Sequence, residues 1–186
     1  MSPMTQRPFR LELALLGFLN HNPIHGYSLY QQLSARTGLG RVWRLKPSQL
    51  YALLDKLEAA GLVASQYQPQ EPHPPRRIFS LTQAGRYAYE TWRVAAVDRP
   101  NEMRQLFFAK LYFCLEDSPE EAQALINRQR EVALKWLADQ EGPSQVSKPA
   151  TLFDKALQQY RTVQVKMILD WLDDCQAKLQ SSQRAS

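Results

Sequence analysis

PSQLYALLDKLEAAGLVASQYQPQEPHPPRRIFSLT, residues 47–82, carries three structural elements in a row. Pro47 suits the first turn of a helix, where no amide donor is needed. Leu50, Leu53, Leu54 and Leu57 then recur at helical spacing and form one stripe, while Ser48, Tyr51, Ala52, Asp55 and Lys56 fall on the opposite side. One face is expected to be core and the other free to contact something. Gly61 stops the helix, as glycine commonly does. Next, LVASQYQ alternates like a short strand, EPHPPRR reads as a proline-rich turn, and RIFSLT alternates again as a returning strand. Thr82 caps a further helix beginning QAGRYAYETWRVAAV.

Working back from Pro47, Leu11, Ala14, Leu15 and Phe18 mark a first helix that ends in the turn-forming stretch Asn20 to Pro23. Leu13, Leu16 and Leu19 add a second apolar face, which predicts packing against two surfaces, one of them offered by another subunit. His25-Gly26-Tyr27-Ser28 leads into the helical LYQQLSA, expected to close near Gly38 and Gly40, and RVWRL follows as a linker. Helix, helix, helix, strand, turn, strand is the order of a winged helix, whose third helix enters the major groove while the hairpin touches flanking backbone.

Working forward, the text from Pro100 is helical apart from breaks near Asp117 to Pro119 and across Glu141 to Pro149. Ser118 and Pro119 ahead of EEAQALINRQREVALKWLADQE supply an N-cap, a first-turn proline and early acids. The last helix, from about Thr151 to Leu179, carries Phe153, Leu157, Tyr160, Val163, Met167, Trp171 and Leu179 at mostly three- and four-residue intervals. At 1.5 Å per residue it is roughly 40 Å long, more than a small domain covers alone, so a second chain is the expected cover. The fold class is therefore mainly α with a small β-hairpin: a winged helix-turn-helix over residues 1–95 and a helical dimerisation region over 96–186.

The 186 residues are 44% apolar, enough for a real core. No apolar run approaches the roughly 20 residues of a membrane span, and MSPMTQRPFR lacks the apolar core of a secretory signal, so a cytoplasmic protein is expected. Residues 1–95 hold eleven Lys and Arg against five Asp and Glu, a net +6, whereas residues 96–186 come to −1. A basic half favours a polyanionic partner, because neutralising phosphates releases condensed counterions. Cys114 and Cys175 match no metal or redox spacing and read as buried free thiols; His21 and His73 lack ligand partners, and His25 reads as structural. No metal or cofactor is expected. Without a Gly-rich phosphate loop, a nucleophile elbow or a paired His/carboxylate motif, nothing asks for catalysis.

LLGFLNHNPIHGYSLYQQL, the tryptophan at position 43, SQLYALLDKLEAAGLV and RRIFSLTQAGR together resemble the PadR regulator family across the first 90 or so residues. NEMRQLFFAKLYF, PEEAQALINRQREVALKWL and MILDWLDDCQAKL are similar to the C-terminal region of the longer PadR subfamily related to virulence activators. The resemblance implies a DNA-binding transcriptional regulator, favouring repression, in which the C-terminal helices and the first helix form a homodimer over an inverted-repeat operator. Activation, and a protein-interaction module on a winged-helix scaffold, stay open as rivals. Asn22 and Pro47-Ser48 stand where the family often has glycine, and EPHPPRR is a leaner wing than usual.

On that reading Ser48 and Tyr51 sit at the exposed start of the third helix, where a hydroxyl and a phenol reach base edges or phosphates. Gln49 either reads adenine or caps the helix. Lys46 and Lys56 are phosphate contacts or merely solvated, and Tyr27 offers its hydroxyl to a phosphate or simply packs. Arg76 and Arg77, at the turn end of the hairpin, are placed for phosphate or minor-groove contact. Asp55 would repel phosphate unless a cation neutralised it. For dimerisation the candidates are Leu13 and Leu16 on the first helix and Tyr160, Val163, Met167 and Trp171 on the last. A small aromatic effector is also implied by the resemblance, with Trp92, Phe107, Phe108, Tyr112, Trp136 and Trp171 as its lining; an ordinary helix-bundle core explains the same aromatics.

Overall fold

The computed structural model describes residues 10–70, 73–141 and 151–184. The tip of the expected turn at residues 71 and 72, and most of the expected break at 142–150, lie outside them. The chain forms two compact units. One takes the described residues up to Val94 together with Arg104–Phe113, and the other takes Ala95–Met103 together with the described residues from Cys114 onward.

The first unit opens with a 3-10 turn at Leu11–Leu13 that runs into α1 (Ala14–Leu19), followed by β1 (Ile24–His25) and α2 (Gly26–Ser34). Here the chain departs from the expected closure at Gly38 and Gly40, because α2 ends at Ser34 and a separate 3-10 turn spans Gly38–Arg41. Leu33 and Leu39 are both buried. Six residues apart, they could not share one face of a continuous helix, so the chain breaks at extended Ala35 to bring Leu39 inward.

α3 (Pro47–Ala59) starts at Pro47 and buries Leu50, Leu54 and Leu57 completely, leaving Ser48, Tyr51, Ala52, Asp55 and Lys56 on the exposed side. It stops at Gly61, whose φ of +72° is the left-handed conformation that favours glycine. Gly61 N–H donates to the Glu58 carbonyl and Leu62 N–H to the Leu57 carbonyl, which satisfies two of the last carbonyls of the helix.

β2 (Val63–Gln70) and β3 (His73–Leu81) pair antiparallel, and β1 adds a third strand on the other edge of β3 through Ile24 opposite Phe79 and His25 opposite Ile78. Two residues are too few to show a period of two, which is why the sequence suggests only a hairpin. The register of β2 and β3 shifts between Gln68 and Gln70, at Pro69, a residue with no N–H to give the ladder. Thr82 caps α4 (Gln83–Val94) by accepting the Gly85 N–H at 2.9 Å.

Phe113, from α5 (Leu106–Asp117), completes this unit's core. Its ring is met by Phe18, Tyr89, Trp92 and Tyr112 at centroid distances of 5.1–6.4 Å. Buried Lys110 donates to the Trp92 carbonyl at 2.6 Å, a cation at the carbonyl end of α4 that favours the helix dipole.

In the second unit α6 (Pro119–Glu141) and α7 (Leu152–Arg184) pack along each other, tied by Arg130 to Asp173 at 2.6 Å. The stripe of α7 that is buried is Val165, Ile168, Leu169 and Leu172. Fully buried Gln129 on α6 accepts the Val97 N–H and donates to the Val97 carbonyl, answering both peptide groups of that residue. Cys114 and Cys175 are free thiols, but only Cys114 is buried as expected; Cys175, on α7, is part-exposed. Among the described residues no helix is long and apolar enough to cross a membrane, and no group of three or more His, Cys, Asp or Glu is placed to hold a metal ion.

Candidate nucleic-acid interface

The exposed face of α3 is the centre of the candidate interface. Its N-terminus is prepared locally: the backbone N–H of Lys46 donates to Gln49 Oε1 at 2.9 Å, so the Gln49 side chain caps the helix. Just ahead, burial alternates from Trp43 to Lys46, with Trp43 in the core and Arg44 and Lys46 exposed. Arg44 was not among the residues expected from sequence. The signal was the period of two, hidden because RVWRL reads as a featureless linker.

Tyr51 is 36% exposed. Its ring lies 6.5 Å from that of Phe79 and fills the space in front of Gly26, where a Cβ would come within 2.7 Å of the Tyr51 ring. Glycine at position 26 is thus what lets α3 press this ring against the start of α2. Tyr27, next to it, is exposed, and so are Ser48 and Lys56.

The basic pair on the hairpin behaves differently from expectation. Pairing of β2 with β3 continues out to Gln70 opposite His73, so Arg76 and Arg77 lie within β3, opposite Gln68 and Tyr67, instead of in the turn. Neighbours on a strand face opposite ways, and Arg77 shares the face of buried Phe79. Arg76 is exposed. Arg77 is held against α3: Nη1 donates to Asp55 at 2.6 Å, Nη2 to Glu58, and Nε to Ser65 Oγ at 2.9 Å, while the guanidinium sits 4.7 Å from the centre of the Phe79 ring. Ser65 Oγ in turn donates to Glu58 at 2.7 Å. The cation that Asp55 needs is therefore Arg77.

The Ser65 hydrogen bond, together with Arg77, holds the Glu58 carboxyl below the ordinary glutamate range, against burial that pushes it up. Burial disfavours the charge on Arg77, but Asp55 and Glu58 outweigh it and hold the guanidinium above its usual value.

The dimer candidates separate into two groups. Leu13, in the opening 3-10 turn, and Leu16, on α1, are buried within the single chain. Tyr160, Val163 and Met167 on α7 are 64%, 59% and 61% exposed, and Trp171 is half-buried. Of the aromatics considered for an effector, Trp92 and Tyr112 pack around Phe113, Phe107 is fully buried, Phe108 is partly exposed, and the Trp136 indole donates to the Asp98 carbonyl.

Residues 15–91 match the model described as the transcriptional regulator PadR-like family. The transcriptional regulator Rv3488 of Mycobacterium tuberculosis (strain ATCC 25618 / H37Rv) is 35% identical over 100 residues, covering 52% of this chain and 88% of that protein. The negative transcriptional regulator PadR of Bacillus subtilis (strain 168) is 27% identical over 132 residues, 71% of each chain. Among solved structures, that of Bacillus subtilis PadR in complex with operator DNA is 23% identical, covers 91% of this chain and 98% of that one, and superposes with a TM-score of 0.46. Both sequence relatives are described as regulators of transcription. A winged-helix unit with an exposed third helix, in the segment that the family model matches, has one reading: this chain belongs to the PadR-like family of transcriptional regulators.

Proposed function

We propose that the chain is a DNA-binding repressor that acts as a homodimer on an inverted-repeat operator. The observation that carries this reading is the outward face of α3, backed by three fully buried leucines and bordered by exposed cations on both flanks. Ser48 and Tyr51 read base edges or phosphates from the first turns of that helix. Lys46, Lys56 and Arg76 contact phosphate, with Arg44 beside Lys46, and Tyr27 reaches phosphate from α2. Gln49 serves as a cap. Repression follows the printed name of the Bacillus subtilis relative, a negative transcriptional regulator. The second copy covers Tyr160, Val163 and Met167 of α7, and the two recognition helices enter successive major grooves roughly 34 Å apart.

The test is a titration of labelled duplex DNA over a range of salt. The logarithm of affinity should fall linearly with the logarithm of salt concentration, and Arg76→Ala should weaken all sequences by a similar factor while reducing the slope by about one. Ser48→Ala should instead change the preference among sequences. Affinity for duplex DNA that ignores salt, or that no substitution on this face alters, would move the winged unit to the class of protein-interaction modules.

A further inference from the structure

The recognition helix carries two carboxylates on or beside its outward side, an odd property for a surface meant to lie on phosphates. Asp55 and Glu58 are one helical turn apart, and both are engaged by the same guanidinium from β3. All three nitrogens of Arg77 have a partner: Asp55 on α3, Glu58 on α3 and Ser65 on β2. Ser65 sits opposite Phe79 in the sheet, and Arg77 lies over the Phe79 ring, so the fork is fixed in direction as well as in charge. Arg76, one residue earlier, has the opposite orientation and stays exposed.

We propose that Arg77 is a positioning residue, which cancels the two carboxylates of the recognition helix and locks the wing to that helix, and does not itself touch DNA. This rests on the DNA-binding reading above. Its consequence is a division of labour inside the Arg-Arg pair: Arg76 meets phosphate, and Arg77 keeps the helix from repelling it. Losing the guanidinium exposes two negative charges to the groove at once. It also frees β3 from α3.

The probe is a labelled duplex of roughly 40 base pairs, room for two half-sites and flanks, enriched by the unmodified full-length protein from a randomised library. Binding is measured for the unmodified protein, Arg77→Ala, Arg77→Lys, the pair Asp55→Asn with Glu58→Gln, and the triple combination. Arg77→Ala is expected to weaken binding roughly ten- to hundred-fold, about tenfold for each exposed carboxylate. That deficit should shrink as salt is raised, because repulsion is screened. In the Asp55→Asn, Glu58→Gln background, removing Arg77 should cost less than about threefold. Arg77→Lys keeps a cation on the strand and should lie between the unmodified protein and Arg77→Ala, so the idea stays testable if the alanine variant does not fold.

An equal loss in both backgrounds would overturn the proposal, since it would make Arg77 a phosphate contact. A loss that ignores salt would overturn it too, by reducing Arg77 to a stabiliser of the fold. If the unmodified protein enriches no duplex at all, the DNA-binding reading fails first and takes the brace with it as a DNA device. A normal titration of the unmodified protein alongside equal losses in the cycle leaves that reading standing.

Discussion

At the scale of single residues, two glycines show how the same substitution acts through different physics. A Cβ on Gly26 would meet the Tyr51 ring at 2.7 Å, whereas one on Gly61 would meet nothing within 4 Å. Gly26→Ala should therefore cost about 1–3 kcal/mol by overpacking and also displace Tyr51, so urea stability and DNA affinity fall together. Gly61→Ala should cost roughly 1–2 kcal/mol through its φ of +72° alone and leave affinity at saturating fold unchanged. Glu58 adds a pH signature. An unfolded glutamate titrates near ~4.3, and the folded Glu58 titrates lower because Ser65 and Arg77 favour its charged form. Its contribution is thus complete above that unfolded value and is lost as pH falls through the folded one. Urea midpoints of Glu58→Gln and the unmodified protein should differ at neutral pH and converge in acid. The partner of Asp55 was also within reach of the sequence, since Arg77 stands two residues before the core residue Phe79 and so on its face. Reading EPHPPRR as turn hid that parity.

At the scale of elements, what was legible follows repetition. α3 has four leucines at helical spacing, a proline at its start and a glycine at its end, and its bounds and faces follow from them. Leu54→Ala should cost about 2–5 kcal/mol in urea denaturation with little change in the slope of unfolding, since a fully buried side chain is lost and the compactness of the native state is not. β1 has two residues and no repetition, so it becomes visible only when β3 is there to pair with it. The same holds for the 3-10 turn at Gly38–Arg41, fixed by where Leu39 must go and not by any local pattern. Of the candidate interface, the outward face of α3 was legible, whereas the orientation of the two wing arginines was hidden because their stretch reads as turn and not as strand.

At the scale of the whole molecule, α7 buries one apolar stripe and presents another. Val165, Ile168, Leu169 and Leu172 are buried, and Tyr160, Val163 and Met167 are exposed. If a second copy covers the exposed set, Val163→Asp with Met167→Asp should convert a dimer to a monomer in sedimentation and weaken operator binding severely, while circular dichroism stays helical; a protein that sediments as a monomer before substitution would count against the dimer. Chain connectivity adds a different consequence. The path runs from the first unit into the second at Ala95, back at Arg104, and out again at Cys114, part-way along the continuous helix α5. Phe107 and Phe113, both core residues of the winged unit, arrive only on that return pass. A single break in the gene therefore yields no self-sufficient reader head: ending the polypeptide at residue 95 strips away part of its own interior. Recombination that trades such heads between paralogues would have to carry the stretch through residue 113 along with them.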